Sequence, residues 1–260
     1  MTPHLARVDL YPIKSLDGIG VGSAAILPSG ALLHDRTYAL HDQTGKFVNG
    51  KRYANIHRVR SQFSKDFSSV TLQTKSAANT ARTFHLAHEQ TALAEWLTAY
   101  FQQPVTLQEN TEQGFPDDTE SPGPTVISTG TLQTVANWFG LSLEETRRRF
   151  RTNLEIDGVP AFWEDQLFSE TGEPVAFQIG GVSILGINPC QRCVVPTRDA
   201  VTGEAISAFQ KRFVQQRADT LPAGVARSRF NHFYRLAVNT RVSPAMAGKV
   251  LRVGDRVSRS

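Results

Sequence analysis

Asp35-Arg36-Thr37-Tyr38-Ala39-Leu40-His41-Asp42-Gln43-Thr44-Gly45-Lys46-Phe47-Val48 reads as a β-hairpin. Residues 37–41 are strand-prone, Asp42-Gln43-Thr44-Gly45 turns the chain, and Lys46-Phe47-Val48 carries it back. The same pattern extends in both directions. Residues 5–11, 21–27, 70–74 and 83–86 are further strand candidates in the first half. Residues 124–128, 153–156, 175–179, 182–187, 193–197, 233–238 and 250–257 are candidates in the second. Helices are fewer. Leu93, Trp96, Leu97, Tyr100 and Phe101 recur at helical spacing within 89–101, and Pro104 follows the end of that pattern. Residues 131–139 form a short amphipathic segment. Ser142-Leu143-Glu144-Glu145 is a capping-box signature opening another helix, and 204–216 also has helical character. Many short strands with few helices predict a β-rich α+β fold of barrel or sandwich type, not a doubly wound sheet. Gly18-Ile19-Gly20-Val21-Gly22 does not change this, because no helix follows it and no βαβ unit surrounds it.

The chain has 260 residues, enough for one large domain or two closely joined smaller ones. The polar, Pro/Gly-rich stretch 114–124 is the natural boundary, dividing the chain into 1–113 and 114–260. No apolar run is long enough to span a bilayer, so no membrane association is expected. The formal net charge is +4. Scattered basic residues fit an anionic small ligand better than nucleic acid, which is not an expected partner. The densest run, Arg147-Arg148-Arg149-Phe150-Arg151, has two readings: part of an anion site, or a solvated helix end favoured by the helix dipole.

Both cysteines of the protein fall in Asn188-Pro189-Cys190-Gln191-Arg192-Cys193-Val194-Val195-Pro196-Thr197-Arg198-Asp199. A disulfide across so short a spacing closes a tiny loop and adds little. No secretory signal precedes the first strand, so a reducing cytoplasm is the expected location. A zinc site commonly needs four ligands in paired spacings, and no second Cys-x-x-Cys or clustered His pair is present. A thioredoxin-type dithiol needs a helix after the first cysteine, whereas Val194-Val195-Pro196-Thr197 is expected to be extended. Two readings stay open. One cysteine serves as a soft ligand to a cofactor-borne metal, with Arg192 and Arg198 favouring the thiolate. In the other, both cysteines are small buried apolar groups.

Tyr11-Pro12-Ile13-Lys14-Ser15, Asp35-Arg36-Thr37-Tyr38-Ala39-Leu40 and Cys190-Gln191-Arg192-Cys193 occur in this order, with Phe150-Arg151-Thr152-Asn153 and Val253-Gly254-Asp255-Arg256-Val257. This set resembles MOSC-domain proteins that carry the N-terminal MOSC β-barrel module, and is similar to the amidoxime-reducing component family. The resemblance covers nearly the whole chain. It implies an N-terminal MOSC-type β-barrel over 1–113, packed with a MOSC β-barrel carrying a few helices over 114–260.

The family binds the molybdenum cofactor, a pyranopterin dithiolene with a phosphate, whose molybdenum also takes one protein cysteine. The matching position is Cys193, the implied metal ligand and catalytic residue; Cys190 is then a supporting residue. Lys14 and Ser15 match the family's Lys-Ser and suit a phosphate. Arg36 matches an arginine that grips phosphate or pterin oxygens, with an ion pair to Asp35 as the alternative reading. Arg151 and Asn153 match the family's Arg-x-Asn, where an amide suits the pterin edge; Asn153 could otherwise be a strand-end residue. Gln191, Ser121, Thr125 and Phe233 are further cofactor-binding candidates, and Ser128, Thr131 and Asn231 lie on neighbouring segments.

The implied activity is reduction of N-hydroxylated compounds, such as amidoximes and hydroxylamines, by oxygen-atom transfer. The mitochondrial relatives carry a targeting and membrane segment, and some bacterial ones a C-terminal iron–sulfur domain; neither is expected here. Electrons would then come from a separate donor protein of ferredoxin, flavodoxin or cytochrome b5-like type. Gln191 and the stretch Phe230-Asn231-His232-Phe233 depart from the relatives near the expected metal, which leaves the particular substrate open. Two other readings compete: a cofactor or sulfur carrier without reductase turnover, and a metal-free β-barrel interaction protein.

Overall fold

The computed structural model describes residues 2–74 and 81–259. The strands are β1 (His4–Leu10), β2 (Ile19–Val21), β3 (Ser23–Ala25), β4 (Tyr38–Asp42), β5 (Arg60–Phe63), β6 (Ser69–Gln73), β7 (Arg82–His85) and β8 (Val105–Glu109) in the first half. The second half adds β9 (Val126–Ser128), β10 (Leu154–Asp157), β11 (Val175–Ile179), β12 (Val182–Gln191), β13 (Arg235–Val242), β14 (Val250–Arg252) and β15 (Val257–Arg259). Four helices accompany them: α1 (Gln90–Phe101), α2 (Thr129–Phe139), α3 (Leu143–Phe150) and α4 (Phe209–Asp219). The fold is a strand-rich α+β arrangement.

Eight strands form one sheet in the order β15-β11-β12-β13-β9-β10-β1-β2. Its β9–β10 pair is parallel and the other pairs are antiparallel. β1 pairs with β10, with His4 opposite Asp157 and Val8 opposite Leu154. β3 pairs with β14 in a separate ladder. Strands from the start of the chain are thus built into sheets completed by its second half. The remaining first-half strands form the β4–β8 and β5-β6-β7 ladders. Barrels were implied by the family resemblance. Among the described residues the ladders stay open, since β15 and β2 end the large sheet without pairing to each other.

Packing follows the apolar pattern. Leu93 and Leu97 of α1 are buried against Phe84, Leu72 and Val105. Full burial of each such side chain is worth about 1.5–3 kcal/mol. Leu5, Val8 and Leu10 of β1 join Leu154, Ile156, Phe177 and Ile184 in the core of the large sheet. A third core gathers Leu132, Val135 and Trp138 of α2 with Phe209 and Phe213 of α4. Among the described residues no helix is long and apolar enough to cross a membrane.

Local differences from the sequence reading have identifiable causes. Residues 193–197 are not a strand. β12 ends at Gln191, and Val195–Thr197 is a 3-10 turn in which the Val194 carbonyl accepts from both the Thr197 amide and hydroxyl. The extended-chain argument against a redox dithiol therefore falls away, although three 3-10 residues do not supply the helix that such a site uses. α4 begins at Phe209 rather than near 204, because Asp199 N bonds Glu204 O and Ile206 N bonds Thr197 O. The 21–27 and 250–257 candidates each break around a glycine, Gly22 and Gly254.

Gly186 in β12 carries a strong steric constraint: a Cβ there would lie 1.9 Å from the Leu167 carbonyl oxygen. Backbone, unlike a flexible side chain, cannot yield cheaply. Gly186→Ala should lower unfolding stability by about 2–3 kcal/mol, read as a shifted urea midpoint with an unchanged slope.

Candidate functional site

The β12–β13 ladder slips register between Gly186 and Asn188, and again between Pro189 and Gln191. Such irregularities re-aim side chains at functional edges. Cys190 and Cys193 follow at this rim, and both are free thiols. They line a cavity of about 530 Å³ whose walls come from both halves of the chain. Lys14, Ser15, Arg36, Ser121, Thr125, Arg151, Asn153, Gln191 and Cys193 all line it. Phe233 does not. Its ring stacks on Phe230 at 5.9 Å and packs on the core of the large sheet. An apolar ring is better placed there than in a cationic cavity. Ser128 instead caps α2, Thr131 accepts from Phe162 N, and Asn231 accepts from Arg235.

Six cationic side chains line the cavity, Lys14, Arg36, Lys51, Arg149, Arg151 and Arg192, against three carboxylates, Asp35, Asp117 and Asp118. Lys14 is buried; its ammonium donates to the Phe115 carbonyl at 2.7 Å and pairs with Asp117 at 3.0 Å. Desolvation lowers the Lys14 pKa, partly opposed by Asp117. Asp117 feels the reverse balance: burial raises its pKa, but Lys14, Arg36 and Lys51 more than reverse this and hold it well below the usual carboxylate range. Arg36 does pair with Asp35, and still lines the cavity, with Nη2 reaching the Arg151 carbonyl at 3.4 Å.

Arg151 ends α3 in left-handed backbone, φ +52°. Its guanidinium lies over the Tyr11 ring, 4.2 Å from the centroid, and Nη2 is buried with no hydrogen-bond partner among the described residues. A buried, unpaired donor is costly, and an anionic ligand is a natural partner for it. Ser15 and Arg36 are left-handed as well, at φ +75° and +51°. Each such non-glycine residue costs about 1 kcal/mol, and such strain clusters at functional sites.

Asn153 behaves differently from the expectation of a pterin-facing amide. Nδ2 donates to the Asp9 carbonyl at 3.1 Å, and Oδ1 accepts from the amide and hydroxyl of Thr125, each at 3.2 Å. Oδ1 and one Nδ2 hydrogen thus serve protein partners, while the residue still lines the cavity. The arginine run is likewise only partly a solvated helix end. Arg147 forks onto Glu155, Arg149 is buried on Glu145, and only Arg148 of the run is exposed. Arg192 donates to Cys190 Sγ at 3.3 Å and also lies close enough to Cys193 to interact with it electrostatically. Arg198 bonds the Gly203 carbonyl and does not line the cavity.

His57 was not foreseen. It comes from the 3-10 turn Ala54–Arg58 and lines the cavity from the first half of the chain. Burial, with Arg151, Arg198 and Arg149 nearby, lowers its pKa from 6.5 to about 4, so the imidazole is neutral at neutral pH. A lone histidine in Ala54-Asn55-Ile56-His57-Arg58 carries no local signal of this, since the arginines that face it lie far along the chain. Among the described residues no group of three or more His, Cys, Asp or Glu could hold a metal ion.

The MOSC N-terminal beta barrel domain model matches residues 2–106, and the MOSC domain model matches residues 125–258. The chain belongs to the MOSC domain family. No curated protein matches it. The two matched spans of this MOSC protein flank residues 107–124, and the cavity draws Lys14, Arg36 and His57 from the first and Arg151 and Cys193 from the second.

Asn153→Ala should cost about 2–4 kcal/mol, because it leaves the Asp9 carbonyl and the Thr125 amide and hydroxyl without this partner; urea unfolding measures it. His57 supplies a pH signature. Its folded pKa lies below its ordinary value, so the unfolded chain binds the proton more readily between them. Stability from a neutral His57 is present above pH 6.5 and is lost as pH falls towards 4. His57→Gln should show a shallower fall in melting temperature than the parent across that window.

Proposed function

We propose that this MOSC protein is a molybdenum-cofactor oxidoreductase. It reduces N-hydroxylated compounds, amidoximes and hydroxylamines, by oxygen-atom transfer at a metal bound through Cys193. The observation that carries the reading is the convergence on one cavity of a free cysteine and six cationic side chains drawn from both halves of the chain. The donor set fits the cofactor: a soft sulfur for the metal, a cationic surplus for a phosphorylated pterin, and an unpaired Arg151 Nη2 that calls for an acceptor. When bound, the cofactor supplies two-electron chemistry and a metal able to take an oxygen atom from the substrate.

The chain's own residues do the rest. Lys14, paired with Asp117, and Ser15 would hold the phosphate. Arg36 and Arg151 bind pterin or phosphate oxygens. Asn153 acts one step back. It ties Thr125 to β1 and lies 3.5 Å from Arg36 Nη1, so it sets the wall rather than gripping the ligand. Gln191 and Ser121 line the cavity and complete its polar surface. Cys190, held by Arg192, supports the rim on which Cys193 sits. Electrons come from a separate protein of ferredoxin, flavodoxin or cytochrome b5-like type.

The test is metal and pterin analysis of protein made in a cofactor-competent host, beside Cys193→Ala and Cys190→Ala. Near-stoichiometric molybdenum and pterin are expected in the parent, with molybdenum and benzamidoxime turnover lost in Cys193→Ala and molybdenum retained in Cys190→Ala. Pterin without metal, or labile sulfur on Cys193 without multiple turnover, would replace the reductase reading with a carrier. Neither molybdenum nor pterin would sink both.

A further inference from the structure

The loop that follows Cys193 is gripped from two directions. From the second half, Glu145 Oε1 accepts the Ala200 amide at 3.1 Å, and Arg149 Nη1 reaches the Pro196 carbonyl at 3.4 Å. From the first half, Arg60 Nη1 donates to the Ala200 carbonyl at 2.9 Å, and Arg58 Nε donates to the Thr202 carbonyl at 3.0 Å. Ala200 is therefore held at its amide by one half of the chain and at its carbonyl by the other. Arg60 is itself fixed, because Nη2 pairs with Asp17 at 2.9 Å.

A second contact lies nearer the cysteine. A Cβ on Gly50 would lie 3.0 Å from His57 Nε2 and 3.1 Å from Cγ2 of Val195, two residues beyond Cys193. Only a residue without a side chain lets Val195 settle there undisturbed. Gly50, His57 and Val195 all line the cavity. A tether at Ala200 and a steric stop at Val195 thus act on the same short loop, and both come from the N-terminal module.

We propose that the N-terminal module positions the Cys193 loop, with Arg60 holding Ala200 and Gly50 admitting Val195. Arg60 and Gly50 are positioning residues, not catalytic ones. The placement of a cysteine set by both modules is finer than either could give alone, since a ligand loop serves only when its supports fix it. Its catalytic meaning rests on reading Cys193 as the metal ligand, but the positioning is measurable without that reading.

The experiment uses the full chain from a host that cannot make the cofactor, in a Cys190→Ser background, so that Cys193 is the one remaining thiol. The labelling rate of Cys193 by an aromatic disulfide reagent is compared among this parent, Arg60→Ala, Gly50→Ala and the control Arg82→Ala. Arg82 stacks on Phe84 in β7, away from the cavity lining. Arg60→Ala and Gly50→Ala should raise the rate by about threefold to tenfold, the scale of one lost polar restraint, while the control stays at the parental rate. Rates equal to the control overturn the proposal, even where the melting temperature falls, because the contacts would then be merely structural. Should Arg60→Ala not fold, the exposed Arg58 gives the same test through Thr202, and an unchanged rate in Arg58→Ala is equally fatal. In protein from a cofactor-competent host, the same variants should lower the ratio of molybdenum to pterin. A parent without molybdenum there removes the metal-ligand reading of Cys193 and leaves the labelling result to decide the positioning.

Discussion

Asn153 stands where β1, β9 and β10 meet. Its backbone carbonyl accepts from Asp9 N at 2.8 Å, its Nδ2 returns a bond to the Asp9 carbonyl, and its Oδ1 receives Thr125. One short side chain thus replaces a missing stretch of ladder between the two halves. The cavity wall that carries Lys14, Arg36 and Arg151 is anchored at this knot. Beyond Asp9 the chain runs through Tyr11, whose carbonyl accepts from Arg36 N, to Lys14, whose amide bonds the Tyr38 carbonyl. Beyond Asn153 lie Arg151 on one side and β10 on the other. With the knot tied, residues distant in sequence share one wall, and buried polar networks of this kind favour a single arrangement when every member is satisfied.

The electrostatic design follows from that wall. Cations outnumber carboxylates, yet the histidine facing the cavity is neutral, because burial and its arginine neighbours make a further charge unfavourable. The surplus is not screened away internally: Asp35 and Asp117 temper Arg36 and Lys14, while Arg151 keeps an unpaired nitrogen. Three lining residues also sit in left-handed backbone. Charge and strain are both concentrated where a ligand would repay them, the pattern expected when function overrides local preference.

Much of this was legible in the chain. The hairpin around Asp42 forms, with Asp42 Oδ1 accepting from Thr44 N and Lys46 N. Ser142 caps α3 as its signature predicts, accepting from Glu145 N, although Glu145 turns its carboxylate to Arg149 and Ala200 instead of closing the box. Residues of four of the five motifs line one cavity, and only Val253-Gly254-Asp255-Arg256-Val257 lies away from it. What escaped sequence reading depends on partners far along the chain. The 193–197 run is β-prone locally, but hydrogen bonds at Val194 and Pro196 fold it into a turn. Nothing near Asn153 in sequence announces Asp9 and Thr125 as its partners. His57 and Gly50 carry no local signal, since His57 is set by Arg149, Arg151 and Arg198 and Gly50 by Val195, all far along the chain.

The pairing of β1 with β10 has a consequence in time as well as in space. His4–Leu10 is made well before its partner Leu154–Asp157, which follows nearly 150 residues later. At ribosomal speed that delay is about 7–30 s. Through it, an apolar strand bearing Leu5, Val8 and Leu10 can pair with the nearby β2 along one edge, while the edge that takes β10 stays open. A nascent copy can build the α1 cluster and the β1–β2 pair early, but the other edge of β1 stays open until the second half emerges. During crowded synthesis an open edge of this kind invites wrong pairings between neighbouring copies.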